Sequence, residues 1–126
     1  MRATIAFAML SMISSVSPAA AATPVATVQL SNFKFAPANV QLRAGAPVIL
    51  HLANVGSGAH NFSAPDFFAA AKLDPAAAAL VHDGKVEVRG HSAVDVALVP
   101  AAGQYSLKCT HTLHSSFGMK GTITVR

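Results

Sequence analysis

Apolar and polar positions alternate along much of the chain after residue 23. Val94, Val96 and Leu98 alternate with Asp95 and Ala97, the pattern of a β-strand that buries one face. Other short segments rich in apolar or β-branched residues cover 25–30, 33–35, 40–42, 48–52, 86–89, 104–109 and 122–125. Glycine-containing turn signals separate several of them. This spacing, with little helical periodicity, predicts an all-β domain, either a sandwich or a barrel.

Residues 67–81 interrupt this pattern. The segment is rich in alanine, and Asp74-Pro75 supplies a favourable N-cap and first helical position for residues 76–81. We therefore expect one or two short helical turns, inserted between strands around residues 67–81.

Residues 1–22 have the features of a secretory signal peptide. Arg2 precedes an apolar stretch over residues 5–16, which is too short to span a bilayer, and residues 20–22 form an alanine-rich cleavage site before Thr23. We expect an exported, periplasmic protein with no membrane attachment after cleavage, although retention of the segment as an anchor is an alternative. Residues 23–126 then form a single domain.

The charge balance adds little to this picture. Nine basic and five acidic residues give a formal net charge of +4, which favours an acidic partner only weakly. The sequence has no clustered basic stripe interleaved with aromatic residues, so binding to nucleic acid is not expected.

The last part of the chain carries the candidate chemistry. Cys109, His114 and Met119 follow one another at intervals of five positions, and Cys109 is the only cysteine. In an exported protein a single cysteine can form an intermolecular disulfide, remain an inert buried thiol, or bind a metal. Copper favours thiolate and imidazole ligands with a weak axial sulfur. We therefore predict a copper site, which needs one more imidazole.

The chain contains six histidines, and we favour His60 as the second imidazole ligand. It follows a glycine-rich turn and precedes Asn61-Phe62. His111 is the rival of His114, but it lies only two residues after Cys109, a tight spacing for two ligands of one metal. It could instead be an outer ligand, a second copper contact or an exposed proton acceptor. The remaining histidines are expected at the surface or in turns: His51, His82 and His91.

The motifs in this chain resemble those of the single-domain cupredoxins, the blue copper proteins of the plastocyanin and azurin type. The resemblance covers residues 23–126. It is carried by residues 105–110, His114 and residues 118–125, together with an upstream stretch that comprises residues 40–42, Gly45, residues 48–54 and His60-Asn61-Phe62.

This resemblance implies a Greek-key β-sandwich that holds one type 1 copper ion near one end. His60, Cys109 and His114 would be the equatorial ligands, and Met119 the axial one. Asn61 would tie the two ligand loops together by hydrogen bonds near the thiolate, as residues outside the ligand set commonly do.

The function implied is the transfer of single electrons by Cu(I)/Cu(II) cycling. A redox partner, a cytochrome or another oxidoreductase, would dock on the monomer near His114 and Phe117. The loop between Cys109 and His114 is longer than in many small relatives, and His111 is an unusual residue there. These departures leave a copper-binding or delivery role open.

Two other classes of function are less favoured. One is an interaction module whose fold persists without metal. The other is an enzyme, which we do not expect, because a fully ligated copper leaves no open position for a substrate. The sequence also shows no nucleophilic triad or paired carboxylates.

Overall fold

A computed structural model of the chain describes residues 12–15, 22–111 and 118–126. These residues form ten strands and two short helices. The strands are β1 (Val25–Ser31), β2 (Lys34–Ala36), β3 (Asn39–Leu42), β4 (Val48–Asn54), β5 (His60–Ser63), β6 (Lys72–Leu73), β7 (Lys85–Val88), β8 (Ser92–Val99), β9 (Gly103–Lys108) and β10 (Lys120–Val125). The helices are α1 (Pro65–Ala70) and α2 (Pro75–Ala78).

The strands form two five-stranded sheets. The first sheet has the order β2-β1-β4-β8-β6 and the second the order β3-β10-β9-β5-β7. Strands β1 and β4 are parallel, as are β3 and β10, whereas the other neighbours are antiparallel. The chain passes between the sheets repeatedly, for example from β4 to β5. The predicted β-sandwich is confirmed.

Alternation along the strands places the core between the sheets. In β4, Val48, Leu50 and Leu52 are buried, whereas Ile49 and His51 on the other face are partly exposed. Successive side chains of a strand point to opposite faces, so one face of each sheet can supply the core. Buried residues of the second sheet that meet this layer include Val86, Val88, Leu107, Ile123 and Val125.

An aromatic cluster joins the two sheets to α1. The ring of Phe35 in β2 packs edge-on against Phe62 in β5, with centroids 6.0 Å apart. Phe62 also contacts Phe68 at 5.9 Å, and Phe67 contacts Tyr105 of β9 at 5.6 Å. Such edge-to-face pairs stabilise a core beyond the area they bury. Phe62 therefore connects both sheets and the helix.

The helical insertion is confirmed, with different bounds. Helix α1 begins at Pro65, ahead of the predicted segment, since proline suits the first helical position. Its residues Phe67 and Phe68 are buried in the core. The two-residue strand β6 separates it from α2. Asp74 and Pro75 take the predicted N-cap and first helical positions, but the Asp74 side chain makes no capping hydrogen bond. Helix α2 ends at residue 78, short of the predicted residue 81.

Most of the predicted signal peptide lies outside the described residues, so its cleavage stays a prediction. In the part of the chain that the structure describes, no helix has the length and apolar character needed to cross a membrane.

The position of Phe62 yields a first prediction. Replacing Phe62, which is fully buried, with alanine should lower the free energy of unfolding by about 3–5 kcal/mol, because the cavity removes contacts to two sheets and a helix. Phe33→Ala is the matched control, since Phe33 is 40% exposed. Denaturant titration measures both. Equal losses for the two variants would contradict the central packing role of Phe62.

Candidate metal centre

Three of the four predicted ligands lie within the described residues, and all three are at one end of the sandwich. His60 begins β5, Cys109 follows β9 directly, and Met119 directly precedes β10. Strands β10, β9 and β5 are neighbours in the second sheet. The fourth predicted ligand, His114, and the predicted docking residue, Phe117, fall in 112–117, outside the described residues.

Cys109 and Met119 face each other at the end of the hairpin formed by β9 and β10. The register pairs Lys108 with Lys120. One residue further along, the Cys109 N–H donates a hydrogen bond to the Met119 carbonyl at 3.1 Å. Directly opposed residues project their side chains to the same face. Both side chains are fully buried, so the thiol and the thioether lie on the inner face of the sheet.

His60 approaches the same interior from the neighbouring strand. It is paired with Val88 of β7 and is only 1% exposed. Because side chains two residues apart in a strand share a face, His60 points to the same side as the core residue Phe62. The structure therefore brings one imidazole, the thiol and the thioether to the inner face at one end of the sheet.

The loop that leads to His60 is organised by Asn54, the last residue of β4. Asn54 is 2% exposed. Its Nδ2 donates to the carbonyls of Gly58 at 2.8 Å and Val88 at 3.1 Å, while its Oδ1 accepts the Gly56 N–H at 3.0 Å. These bonds satisfy a buried amide and fix the loop at both ends. Asn54 thus sets where the chain enters β5.

Gly90 allows a second segment to pack against this loop. A Cβ at Gly90 would lie 2.1 Å from the carbonyl oxygen of Ser57, a distance that no side chain can tolerate. The next residue, His91, donates its N–H to the Gly56 carbonyl at 3.0 Å. The turn between β7 and β8 therefore holds the loop from the other side.

Asn61 links the two segments that carry predicted ligands. Its Oδ1 accepts the Thr110 N–H at 2.9 Å, and its Nδ2 donates to Thr110 Oγ1 at 2.7 Å. Nδ2 also donates to Glu87 Oε1 at 2.9 Å. Since Thr110 follows Cys109, the predicted hydrogen-bonded link from Asn61 to the Cys109 segment is present, whereas the ligand roles of the two segments stay predictions.

The strand register explains why a side chain makes this link. Strands β5 and β9 are paired through Ser63 and Lys108, and continuing that register places Asn61 opposite Thr110. The Asn61 amide therefore supplies hydrogen bonds where the backbone pairing has ended. It extends the connection between the strands past Cys109.

Glu87 completes this arrangement on the outer face of the sheet. Its Oε2 lies 2.8 Å from His111 Nε2. Burial alone would raise the pKa of Glu87. The hydrogen bonds from Asn61 and His111, with the charges of His111 and Lys85, outweigh that effect and lower the pKa below its usual value. Glu87 therefore stays ionised as an acceptor for both partners.

The contact with Glu87 bears on the choice between His111 and His114. The side chain of Cys109 is on the inner face, whereas the ring of His111 reaches Glu87 on the outer face and is 32% exposed. To bind the same metal as Cys109 through Nε2, His111 would have to give up this carboxylate. The geometry thus favours a ligand other than His111, and His114 stays the predicted one.

The remaining histidines lie where the sequence places them. His51 is partly exposed and its Nδ1 lies 2.5 Å from Asp95 Oδ1 across β4 and β8. His82 and His91 are exposed in turns. Over residues 22–111 and 118–126, no three His, Cys, Asp or Glu side chains form a metal-binding group. Met119 is not one of these residue types, and His114 lies outside the described residues, so this absence does not bear on the predicted site.

Two residues that stabilise this end, Asn54 and Glu87, were not predicted from the sequence. Asn54 looked like part of a turn, and the only signal was its position before a glycine-rich segment. Glu87 gave no signal, because its partners are 26 and 24 residues away in the chain.

A protein-family model, described as a cupredoxin-like domain, matches residues 3–125. No curated protein matches the sequence significantly.

Solved structures with a similar fold include two auracyanins. Auracyanin B is 22% identical, with a TM-score of 0.61 over 89% of this chain and 92% of its own. Auracyanin A from Chloroflexus aurantiacus, titled a "blue" copper protein, is 20% identical, with a TM-score of 0.55 over 81% and 99%. A multicopper oxidase from Campylobacter jejuni is 10% identical, with a TM-score of 0.60 over 90% of this chain but 32% of its own. At these identities the likeness shows the fold.

Asn61 yields a prediction that needs no metal. Asn61→Ala should lower the free energy of unfolding by about 1–3 kcal/mol, because it removes a buried amide that bonds Thr110 and Glu87. Asn39→Ala is the control, since Asn39 makes one exposed bond, to Thr122 Oγ1. Denaturant titration of the metal-free protein measures both, and an equal effect would contradict the bridging role.

Proposed function

The chain belongs to the cupredoxin-like family, and from that premise we propose that it is a periplasmic blue copper protein that carries single electrons between redox partners. The observation that supports this proposal is the meeting of Cys109 and Met119 on the buried face, with Asn61 tying the Cys109 segment to the strand of His60.

The donor set fits copper. We assign His60, Cys109, His114 and Met119 as the ligands, which supply two imidazoles, a thiolate and a thioether. Soft sulfur donors with imidazole suit copper, whereas calcium and magnesium require oxygen ligands. Zinc would be served by Cys and His but gains little from a thioether. When bound, one type 1 copper ion would supply the Cu(I)/Cu(II) couple.

The protein contributes a fixed and dry environment for such a site. His60, Cys109 and Met119 are at most 1% exposed, so water has little access to these donors. The bonds of Asn54 and Asn61 hold the two ligand-bearing segments from outside the donor set. Because a thiolate and neutral imidazoles are needed for binding, copper affinity should fall in acid.

The metal end of the molecule also offers an apolar surface. Phe33 and Val55 are 40% and 53% exposed. Phe33 lies in the turn between β1 and β2, and Val55 follows β4 in the loop that leads to His60. We propose that a cytochrome or another oxidoreductase docks on the monomer at this end, near His114 and Phe117. Such encounters are small and transient.

A copper-binding or delivery role without electron transfer is the second candidate. It is favoured by the partly exposed His111, which lies two residues after Cys109 and contacts Glu87. A carrier should retain its copper against a chelator, whereas a delivery protein should release copper to an acceptor. We do not propose an enzymatic activity.

The deciding measurement is the absorption and electron paramagnetic resonance spectrum of the purified protein with one equivalent of Cu(II). We expect an intense thiolate-to-copper band and narrow hyperfine splitting, both lost in Cys109→Ala. Colour that survives in Cys109→Ala would place copper elsewhere. A pale spectrum of the parent, typical of nitrogen and oxygen ligands, would reject the blue copper assignment.

The choice between the two nearby histidines gives a further prediction. His114→Ala should abolish or strongly shift the thiolate band, because it removes a ligand. His111→Ala should leave the band largely unchanged, as should the control His82→Ala in an exposed turn. The opposite pattern in the absorption spectra would assign His111 as the ligand in place of His114.

A further inference from the structure

The second sheet carries a row of lysines on strands that meet at the metal end. The register pairs Lys120 of β10 with Lys108 of β9, and Lys108 with Ser63 of β5. Ser63 is in turn paired with Lys85 of β7. These strands are consecutive neighbours in the sheet, so the four positions form one line across it. We call Lys85, Lys108 and Lys120 the lysine row.

The row lies on the outer face, directly behind the candidate metal centre. Lys108 and Lys120 are exposed, whereas the adjacent residues Cys109 and Met119 are fully buried. Lys85 is partly exposed, and its neighbour Val86 is buried. Because successive side chains point to opposite faces, the lysines project outward while the predicted ligands project inward.

The sheet gives no electrostatic reason to keep Lys108 and Lys120 together, whereas the charge of Lys85 acts favourably on Glu87. Like charges that face each other directly on neighbouring strands destabilise the pair, and Lys108 and Lys120 are such a pair. Among the residues that the structure describes, no ion pair joins the row to a carboxylate. Glu87 is the only acid on a strand of this sheet, and Asn61 and His111 occupy its two oxygens.

We propose that the lysine row is a docking surface for a carboxylate-rich patch on a protein redox partner. This inference rests on the proposed electron-transfer function and adds a second contact to the apolar metal end. One peptide bond joins Lys108 to Cys109, so a partner on the row lies beside the covalent route to the thiol sulfur. Complementary charge guides such encounters and makes their rates depend on salt.

The chemistry of the face favours a protein over other anionic partners. On β3, β9 and β10 the outward positions around the row are polar and uncharged, and they include Asn39, Gln41, Ser106, Thr122 and Thr124. Glu87 of β7 is the one carboxylate on the strands of this face, and its oxygens are bonded to Asn61 and His111. Of the large apolar side chains that are exposed in the described residues, none lies on a strand of this sheet. Lipid surfaces are held by apolar anchors as well as charge, and single-stranded nucleic acid by aromatic stacking.

The test compares two double variants with the same change in net charge. Lys108→Gln/Lys120→Gln alters the row. Lys34→Gln/Lys72→Gln removes two exposed lysines from β2 and β6 of the first sheet. Binding of a polyglutamate peptide is followed by amide chemical shifts at an ionic strength of about 0.1 M, where the Debye length is about 10 Å. The two sheets pack about 10 Å apart, so lysines on their outer faces are separated by more than one Debye length and act largely independently on the peptide.

We expect peptide-induced shifts on the outer positions of β7, β9 and β10, and a Kd raised about threefold to tenfold in the row variant only. Equal weakening in both variants would overturn the proposal, because net charge alone would then explain binding. Tighter binding of anionic vesicles or a DNA oligonucleotide, lost in the row variant, would also overturn it in favour of those partners.

Two further readouts keep the result independent of folding and of copper. The row variant should have a Tm equal to or above that of the parent, because it removes facing like charges; a lower Tm would mean that the lysines serve stability and would contradict the proposal. The titration is made with and without copper. Peptide binding at the row with a pale Cu(II) spectrum would therefore reject the electron-transfer function separately from the docking surface.

Discussion

The metal end depends on the hydrogen bonds between Asn61 and Thr110. Backbone pairing between β5 and β9 is recorded only at Ser63 and Lys108, before either candidate ligand is reached. Without a further link, the segments that carry His60 and Cys109 would be free to separate. The buried Asn61 amide bonds both the backbone and the side chain of Thr110. Two bonds from one rigid group fix position and orientation together, as a donor site requires.

The same end is held by a second buried amide that acts through the backbone. Asn54 fixes the loop before His60, while Glu87 holds Asn61 and His111 from outside. Asn54, Asn61 and Glu87 belong to strands, so the sheets hold the segments that carry His60 and Cys109. Functional groups placed on regular elements are held more precisely than those on loops.

The strands that alternate in polarity were predictable, because one buried face leaves a period of two in the sequence. Strand β5 was not, since His60, Asn61 and Ser63 are polar yet all of β5 is buried. In β5 the polar residues of the candidate site are buried, so the alternation of buried and exposed positions is lost. Sequence spacing predicted that Cys109 and Met119 belong to one site. How the two residues approach follows from the pairing of β9 with β10, a strand register that spacing does not reveal.

The two faces of the second sheet have separate chemistry because strand alternation divides them. Moving one residue along β9 or β10 changes a buried sulfur side chain into an exposed lysine. A slip of one residue in register would reverse this division. The same strand register therefore pairs Lys108 with Lys120 on the outer face and places Cys109 opposite Met119 on the inner face. The repulsion between the facing lysines is offset by the burial of their neighbours. The lysine side chains therefore lie on the outer face behind the candidate metal centre, and not among its buried donors.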